Sequence, residues 1–444
     1  MDAQGLRKRP LDTSAPAKPI PNAAITDDQP EKHGSSMQAT RLASLVFYFF
    51  VSGICLHFQQ FLGVPLYWYN QDWYYAWQAF TKRQFGIVLI TLQEWWSPMK
   101  VRVSGDKSIQ GQIRLQPNGR LRLDFPERII IVSNHQLYID WLFMWWAAFT
   151  AKMHGHIFII LKDSLRFIPM LGPGMMFFSF LFLSRHWETD KPRFQHRLRK
   201  LKQAHRGPLS GSGDLDPMWL LIFPEGTTLS TTGRESSRKW AEKTGIKDTT
   251  NVLLPRSRGL QYCIQELEGT IDYIYDCTVA YNGLPKGKYG QDYFTLRGTY
   301  LEGRGPPYCN MHWRRFAVSS IPVHDEKAFD NWLHERWVEK DTLLEHFTEH
   351  GQFPCDEAAI VVEEAEEKET AHSTGVNGNG VAPSAIKREP TDPVCSSVSP
   401  NHPLEFVQVF SSALAVPLAW KLGKFVWLVV RIALLIASFG QLKF

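Results

Sequence analysis

The sequence of 444 residues lacks the marks of a secreted or disulfide-stapled protein. Its six cysteines (Cys55, Cys263, Cys277, Cys309, Cys355 and Cys395) form no Cys-x-x-Cys pair and no compact framework. Scattered thiols fit a reducing compartment. No Asn-x-Ser/Thr sequon occurs, which points to a body facing the cytosol. No cleavable signal peptide opens the chain; residues 1–37 are rich in Pro, Ala, Asp, Lys and Ser, show no helical or strand period, and are expected to be disordered. The net charge of +5 is mild and no dense Lys/Arg block with interleaved aromatics is present, so nucleic acid is excluded as a partner. His154 and His156 have no third ligand at metal spacing, and no metal site is read. Nothing in the sequence points to a partner protein.

What the chain has in abundance is aromatic residues, 16 Trp and 28 Phe. Such rings gather where an apolar body meets a wet rim, as at a membrane interface. Residues 42–58 are almost wholly apolar, at the lower length limit for crossing a bilayer core of about 30 Å. The cluster Tyr67, Trp68, Tyr69, Trp73, Tyr74, Tyr75 and Trp77 then reads as an interfacial belt, and a shorter apolar run, Phe85 to Leu92, ends at Trp95-Trp96. Residues 38–96 are therefore expected to form an N-terminal membrane-embedded or re-entrant pair of helices. At the other end, residues 356–402 are acidic and then rich in Gly, Asn, Ser and Pro, which reads as a disordered linker. Residues 403–444 are apolar again, interrupted by Pro417, Lys421, Lys424 and Arg431, and are expected to touch the membrane as one tilted span, a hairpin or an interfacial pair.

Between these ends, residues 97–355 have the texture of an α/β domain. The β-branched run Ile129 to Val132 is flanked by polar residues, as a strand buried on both faces should be. Ile157 to Leu161 and Trp219 to Phe223 repeat it, and helical stretches such as Trp141 to Ala151 and Phe194 to Gln203 lie between. Alternation of this kind predicts a mostly parallel sheet flanked by helices.

Two motifs fall at strand ends, where α/β proteins build their sites. Asn134-His135-Gln136-Leu137-Tyr138-Ile139-Asp140 follows the first strand. Five residues turn about 500° on a helix, leaving His135 and Asp140 about 140° apart, so they cannot share a helical face. They can meet only if His135 lies in the turn and Asp140 in the first helical turn. A carboxylate accepting from one imidazole nitrogen would fix the tautomer and leave the other nitrogen to take a proton. The second motif, Phe223-Pro224-Glu225-Gly226-Thr227, ends the strand after Leu220-Leu221-Ile222 and carries Glu225 to the same sheet edge. No Gly-x-Ser-x-Gly elbow is present, and attack on an activated thioester needs no covalent serine, only a deprotonated acceptor and an oxyanion site. General-base help is worth roughly 10²–10⁴ in rate, and backbone amides near the start of the helix at Asp140 are candidate oxyanion donors.

Together, NHxxxxD and FPEGT resemble the motifs of the glycerolipid and lysophospholipid acyltransferase family, over roughly residues 97–355. Asp140-Trp141, Leu161-Lys162-x-Ser164-Leu165, Pro169-x-x-Gly172, Arg185-x-Trp187 and Leu254-Pro255-Arg256-x-Arg258-Gly259 look like the lysocardiolipin and lysophosphatidylinositol branch. The resemblance implies His135 as catalytic base with Asp140 its partner. It implies substrate-binding roles for Asn134, Lys162, Arg185, Glu225, Gly226, Thr227 and Arg256: Arg185, after Phe182 and Leu183, would hold the acceptor's phosphate, and Glu225 and Gly226 would position its glycerol and phosphate. Acyl-CoA would be a co-substrate, with no other cofactor. Two positions depart from the family pattern, Ser179 where a Gly is common and Thr228 where an Arg often follows Glu-Gly-Thr. The resemblance implies re-acylation of a lysophosphatidylinositol or lysocardiolipin type of lipid at the endoplasmic reticulum or another endomembrane. Acylation of lysophosphatidic acid, or a non-catalytic lipid-binding membrane protein, are the alternatives. Lys191, Arg193, Arg197, Arg199, Lys200, Lys202 and Arg206, with Phe194, Leu198 and Leu201 at helical spacing, predict a basic helix near an anionic membrane surface or the CoA phosphates.

Overall fold

The computed structural model describes residues 30–184, 186–203, 215–363, 392–402 and 404–411, with residues 421, 424, 427, 428, 430 and 431 placed singly. Among the described residues there are eleven strands: β1 Lys100–Gly105, β2 Ile113–Leu115, β3 Leu121–Leu123, β4 Arg128–Ser133, β5 Ile157–Lys162, β6 Leu181–Leu183, β7 Met218–Ile222, β8 Tyr273–Tyr281, β9 Tyr308–Ala317, β10 Ile360–Val362 and β11 Val394–Ser397. The helices are α1 Ser35–Leu62, α2 Leu66–Tyr69, α3 Gln71–Trp96, α4 Asp140–Thr150, α5 Leu171–Phe177, α6 Trp187–Lys200, α7 Thr231–Thr244, α8 Ser257–Leu267, α9 Gly290–Tyr293, α10 Leu296–Tyr300 and α11 Glu326–His350.

Eight strands form one sheet in the order β11-β1-β9-β8-β4-β7-β5-β6. The run β8-β4-β7-β5-β6 is parallel throughout, and β1 pairs parallel with β9; the β8–β9 and β1–β11 pairs are antiparallel. Helices cover both faces, so β4 is buried on both: Ile129 and Ile131 join the core under α3 and α4, while Ile130 and Val132 join the core under α6, α8 and α11. That two-sided burial is what makes the strand read as an unbroken apolar run. A small second sheet, β10-β2-β3, sits beside it.

β8 and β9, the two longest strands, are absent from the sequence-based expectation. Polar Asp276, Asn310, His312 and Arg314 interrupt their apolar pattern, and the fold buries these residues in pairs: Arg314 with Asp276 at 2.7 Å, His312 with Ser104 at 3.0 Å. Helix α6 starts seven residues earlier than expected, because the polar first turn Trp187-Glu188-Thr189-Asp190 carries no apolar period; its acidic residues suit a helix N-terminus.

Both terminal segments differ from expectation. Residues 30–34, expected to be disordered, lie along the 302–304 turn, with the His33 amide donating to the Glu302 carbonyl at 3.1 Å and Arg304 to the Pro30 carbonyl at 2.8 Å. The 356–402 segment, expected to be a disordered linker, contributes strands at both ends. β10 pairs with β2, and β11 closes the free edge of β1, burying Val394 and Ser396 and exposing Cys395 and Ser397. An exposed edge accepts any short strand that alternates suitably, and composition does not report it. Residues 1–29, 364–391 and most of the expected C-terminal membrane segment lie outside the described residues; within that segment residues 405–411 are helical, the Val409 carbonyl accepting from Gln59 at 2.7 Å.

The N-terminal pair also divides differently. α1, at 28 residues, is about 42 Å long at 1.5 Å per residue. It is the one described helix, continued to Tyr69, long and apolar enough to cross a membrane. The second apolar run, expected in the membrane, is packed inside the domain: every residue from Gln84 to Gln93 is buried, and Phe85 meets Trp145 of α4 edge-on at 5.2 Å. A protein surface rich in Trp and Phe offers that helix the same apolar contact as lipid, with closer packing.

Candidate active site

β4 and β7 are neighbours and parallel, with Val132 opposite Ile222, so both motifs leave the sheet at the same edge. His135 lies in the turn after β4 and Asp140 is the first residue of α4. His135 Nδ1 is 2.8 Å from Asp140 Oδ2, and Asp140 is wholly buried while the imidazole keeps 18% exposure. The same carboxylate oxygen accepts from the backbone amides of Gln136 at 2.6 Å and Leu137 at 2.9 Å. The other oxygen accepts from the Tyr281 hydroxyl at 2.6 Å. Four donors therefore hold Asp140, the imidazole N–H being one, which assigns the proton to Nδ1 and leaves Nε2 free to accept.

The imidazole is held from its face as well as its edge. Phe223 stacks on it with ring centres 4.3 Å apart and planes 21° apart. The turn carrying Phe223 is tied back by the Leu229 amide, which donates to the His135 carbonyl at 2.7 Å. Gly226 adopts φ +69°, a left-handed conformation that glycine reaches without strain, and its amide closes the turn onto the Phe223 carbonyl at 3.0 Å.

Glu225 is 4% exposed and neither carboxyl oxygen has a hydrogen-bond partner. Burial pushes its carboxyl up to about 8; the nearby Leu253 amide, Trp337 indole, His135 amide and Lys340 ammonium oppose the rise. Burial therefore favours the protonated form of this carboxyl. Lys340 is itself buried, 2.5 Å from Asp276, and donates to the Cys277 carbonyl at 2.7 Å.

The remaining sequence-derived candidates separate. Asn134 is fully buried with its amide spent on β8, donating to the Val279 carbonyl at 2.9 Å and accepting from the Val279 amide at 2.8 Å, so it fixes the strand end. Lys162, at the end of β5, is exposed on the same sheet edge; β5 lies two strands from β4, about 10 Å at ordinary strand spacing. Thr227 is exposed, and Thr228, where the family often has Arg, is buried. Arg256 is exposed, its guanidinium 5.2 Å from the Trp240 ring, and its amide donates to the Pro224 carbonyl at 2.9 Å, which joins its loop to the Glu225 turn. Arg258 turns away to Glu326 at 3.7 Å. Arg185 lies outside the described residues. Ser179, where a glycine is common, has φ +59°, which accounts for the glycine preference at that position. Of the backbone amides leading into the helix at Asp140, those of Gln136 and Leu137 are engaged by the Asp140 carboxylate and that of Tyr138 by Gln291 at 2.7 Å. The first two orient Asp140.

Sequence reasoning missed Tyr281, Phe223 as a stacking partner, and Trp337 with Lys340 beneath Glu225. Tyr281 is 141 positions from Asp140 and arrives only because β8 pairs with β4. Phe223 alone had a signal, being the residue before Pro224 at a strand end.

Comparison with known proteins places the chain among acyltransferases. The acyltransferase family model matches residues 100–282 and the acyltransferase C-terminus model matches residues 299–375. An uncharacterised acyltransferase of Schizosaccharomyces pombe is 36% identical over 71% of the chain and 87% of its own length. The 2-acyl-1-lysophosphatidylinositol acyltransferase of Saccharomyces cerevisiae is 36% identical over 62% of the chain and 76% of its own length. Lysocardiolipin acyltransferase 1 of Gallus gallus is 32% identical over 57% of the chain and 58% of its own length.

Proposed function

This chain belongs to the glycerolipid acyltransferase family, and on that premise we propose that it transfers an acyl group from acyl-CoA to the free hydroxyl of a lysophospholipid, with His135 as general base. The observation that carries the reading is the His135–Asp140 contact of 2.8 Å, with Asp140 held by three further donors and Nε2 left open. The acceptor hydroxyl gives its proton to Nε2 as its oxygen attacks the thioester carbonyl; Asp140 steadies the imidazolium that forms. The tetrahedral intermediate then breaks its C–S bond, and the proton returns from Nε2 to the departing CoA sulfur. No covalent acyl-enzyme is needed, because the thioester is already activated. Glu225, neutral and buried beneath the turn, supplies an O–H donor rather than a charge, and Lys162 and Arg256 supply cations for phosphate at the same edge.

The acceptor is read as a lysophosphatidylinositol or lysocardiolipin type of lipid, supported by the yeast and chicken relatives. Membrane attachment, at the endoplasmic reticulum or another endomembrane, is supported by α1, whose Val46, Phe47, Phe50 and Ile54 face outward, and by the exposed Trp68, Tyr69 and Trp73 beyond it. The test uses membranes carrying the full chain, radiolabelled acyl-CoA and a panel of lysophospholipids that includes lysophosphatidic acid. His135→Ala should abolish labelled product at unchanged protein level, and the inositol or cardiolipin-type acceptor should be preferred. Turnover retained by His135→Ala would remove the mechanism, and preference for lysophosphatidic acid would overturn the acceptor.

A further inference from the structure

A groove of about 350 Å³ runs between α5, the edge strand β6 and α6. Its floor is apolar, with Met176, Phe180 and Phe182. Its wall is the face of α6 that carries Arg193, Arg197 and Lys200, at positions i, i+4 and i+7 of one helix. The neighbouring face of α6 sends Phe194 and Leu198 into the core, which fixes the rotation of the helix and turns the cations into the groove. Asp163 is the carboxylate paired here, with Arg166 at 3.3 Å and Arg193 at 3.5 Å. Arg197 and Lys200 have no ion pair among the described residues, whereas Arg199, one position away on the outer side, lies 3.8 Å from Glu266. The groove thus holds, over an apolar floor, two cations that form no ion pair among the described residues.

Its surroundings decide what kind of anion suits it. Met176, Phe167 and Ile168 are exposed, and Phe177 meets Phe61 of α1 edge-on at 5.2 Å. The groove therefore opens beside the outward apolar face of α1. A small soluble anion would gain nothing from that floor or that exit; an amphiphile with a phosphate head and apolar chains matches both. An adjoining cavity of about 90 Å³ shares Arg197 and Lys200 with the groove and is also lined by Asp72, Asp216, Lys82 and His156; burial holds the imidazole at about 3 and the ammonium well below its ordinary value, so Arg197 and Lys200 are the cations the two spaces share. The place is separate from His135, because β6 is three strands from β4, about 14 Å at ordinary strand spacing.

We propose that this groove seats the phosphate headgroup of an anionic bilayer phospholipid, distinct from the acceptor, with the lipid's chains running over Met176 onto α1. The site orients the domain on an anionic leaflet whether or not acyl transfer occurs. The test is binding of dansyl-labelled phosphatidylserine to the purified full chain in zwitterionic detergent micelles. Arg197→Gln/Lys200→Gln should weaken binding about 30-fold and Lys200→Gln alone about fivefold, from about a fivefold step per cation at a charged surface. Arg199→Gln and His135→Ala should bind as wild type does, labelled phosphatidylcholine should bind more weakly, and millimolar inorganic phosphate should fail to displace the probe. Unchanged binding by the double variant, loss of binding by His135→Ala, or full displacement by inorganic phosphate would each overturn the proposal, the last by making the groove a site for free anions.

Discussion

Two carboxyl groups stand at the ends of adjacent parallel strands, both buried, and their surroundings are opposite. Asp140 receives four donors, from His135, Gln136, Leu137 and Tyr281. Glu225 has donors nearby, the Leu253 and His135 amides and the Trp337 indole, but none makes a well-formed hydrogen bond, and burial pushes it up to about 8. Burial by itself therefore does not decide what a carboxyl does at this sheet edge; the donors do. A carboxylate ringed by donors can balance an imidazolium, while a carboxyl without them keeps its proton and can only hydrogen-bond.

That contrast can be broken in three ways. The largest effect is expected from Asp140→Asn, which keeps the shape but not the charge opposite Nδ1; the rate of acyl transfer should fall about 10³–10⁴-fold, by analogy with the orienting carboxylate of other His-dependent sites. A loss under tenfold, measured in membranes at matched protein levels, would mean that Asp140 only braces the turn. Tyr281→Phe removes one of the four donors and should cost about tenfold in turnover, the worth of one hydrogen bond to a charged acceptor; an unchanged rate would show that the backbone amides suffice. Glu225→Gln should matter least at neutral pH, because both side chains are then uncharged, and its signature lies in pH dependence. The folded carboxyl is raised from 4.5 to about 8, so its stabilising influence is complete below pH 4.5 and is lost as pH rises to about 8. The thermal midpoint of the wild type should thus fall across that window and that of Glu225→Gln should stay flatter. Parallel curves would show that Glu225 is ionised in the folded protein.

Much of the site's framework was legible before any coordinates. Ile129 to Val132 and Trp219 to Ile222 read as buried strands because both faces of the sheet are covered, and the spacing of His135 and Asp140 demanded a turn between them. The fate of individual candidates was not legible. Asn134 has the sequence context of a ligand-binding residue, yet its amide joins β4 to β8. Which amides near the start of α4 stay open was not legible either, and those of residues 136–138 are committed. The run at Phe85 to Leu92 has a composition that lipid or a packed core satisfies equally, and only the aromatic face of α4 settles which.

Hydrophobic periodicity and the spacing of the strand-end motifs determined from sequence alone an α/β domain with His135 in a turn before Asp140, because those signals are local and the physics of strands and turns acts over a few residues; the activity entered through the resemblance of the two motifs to a known family. Tertiary structure alone decided that Tyr281 completes the shell around Asp140, that α11 brings Trp337 and Lys340 beneath Glu225, and that β11 closes the sheet. Each of those contacts joins residues far apart in the chain. Their energy depends on which surfaces meet and which donors are left unpaired, and strand order sets both.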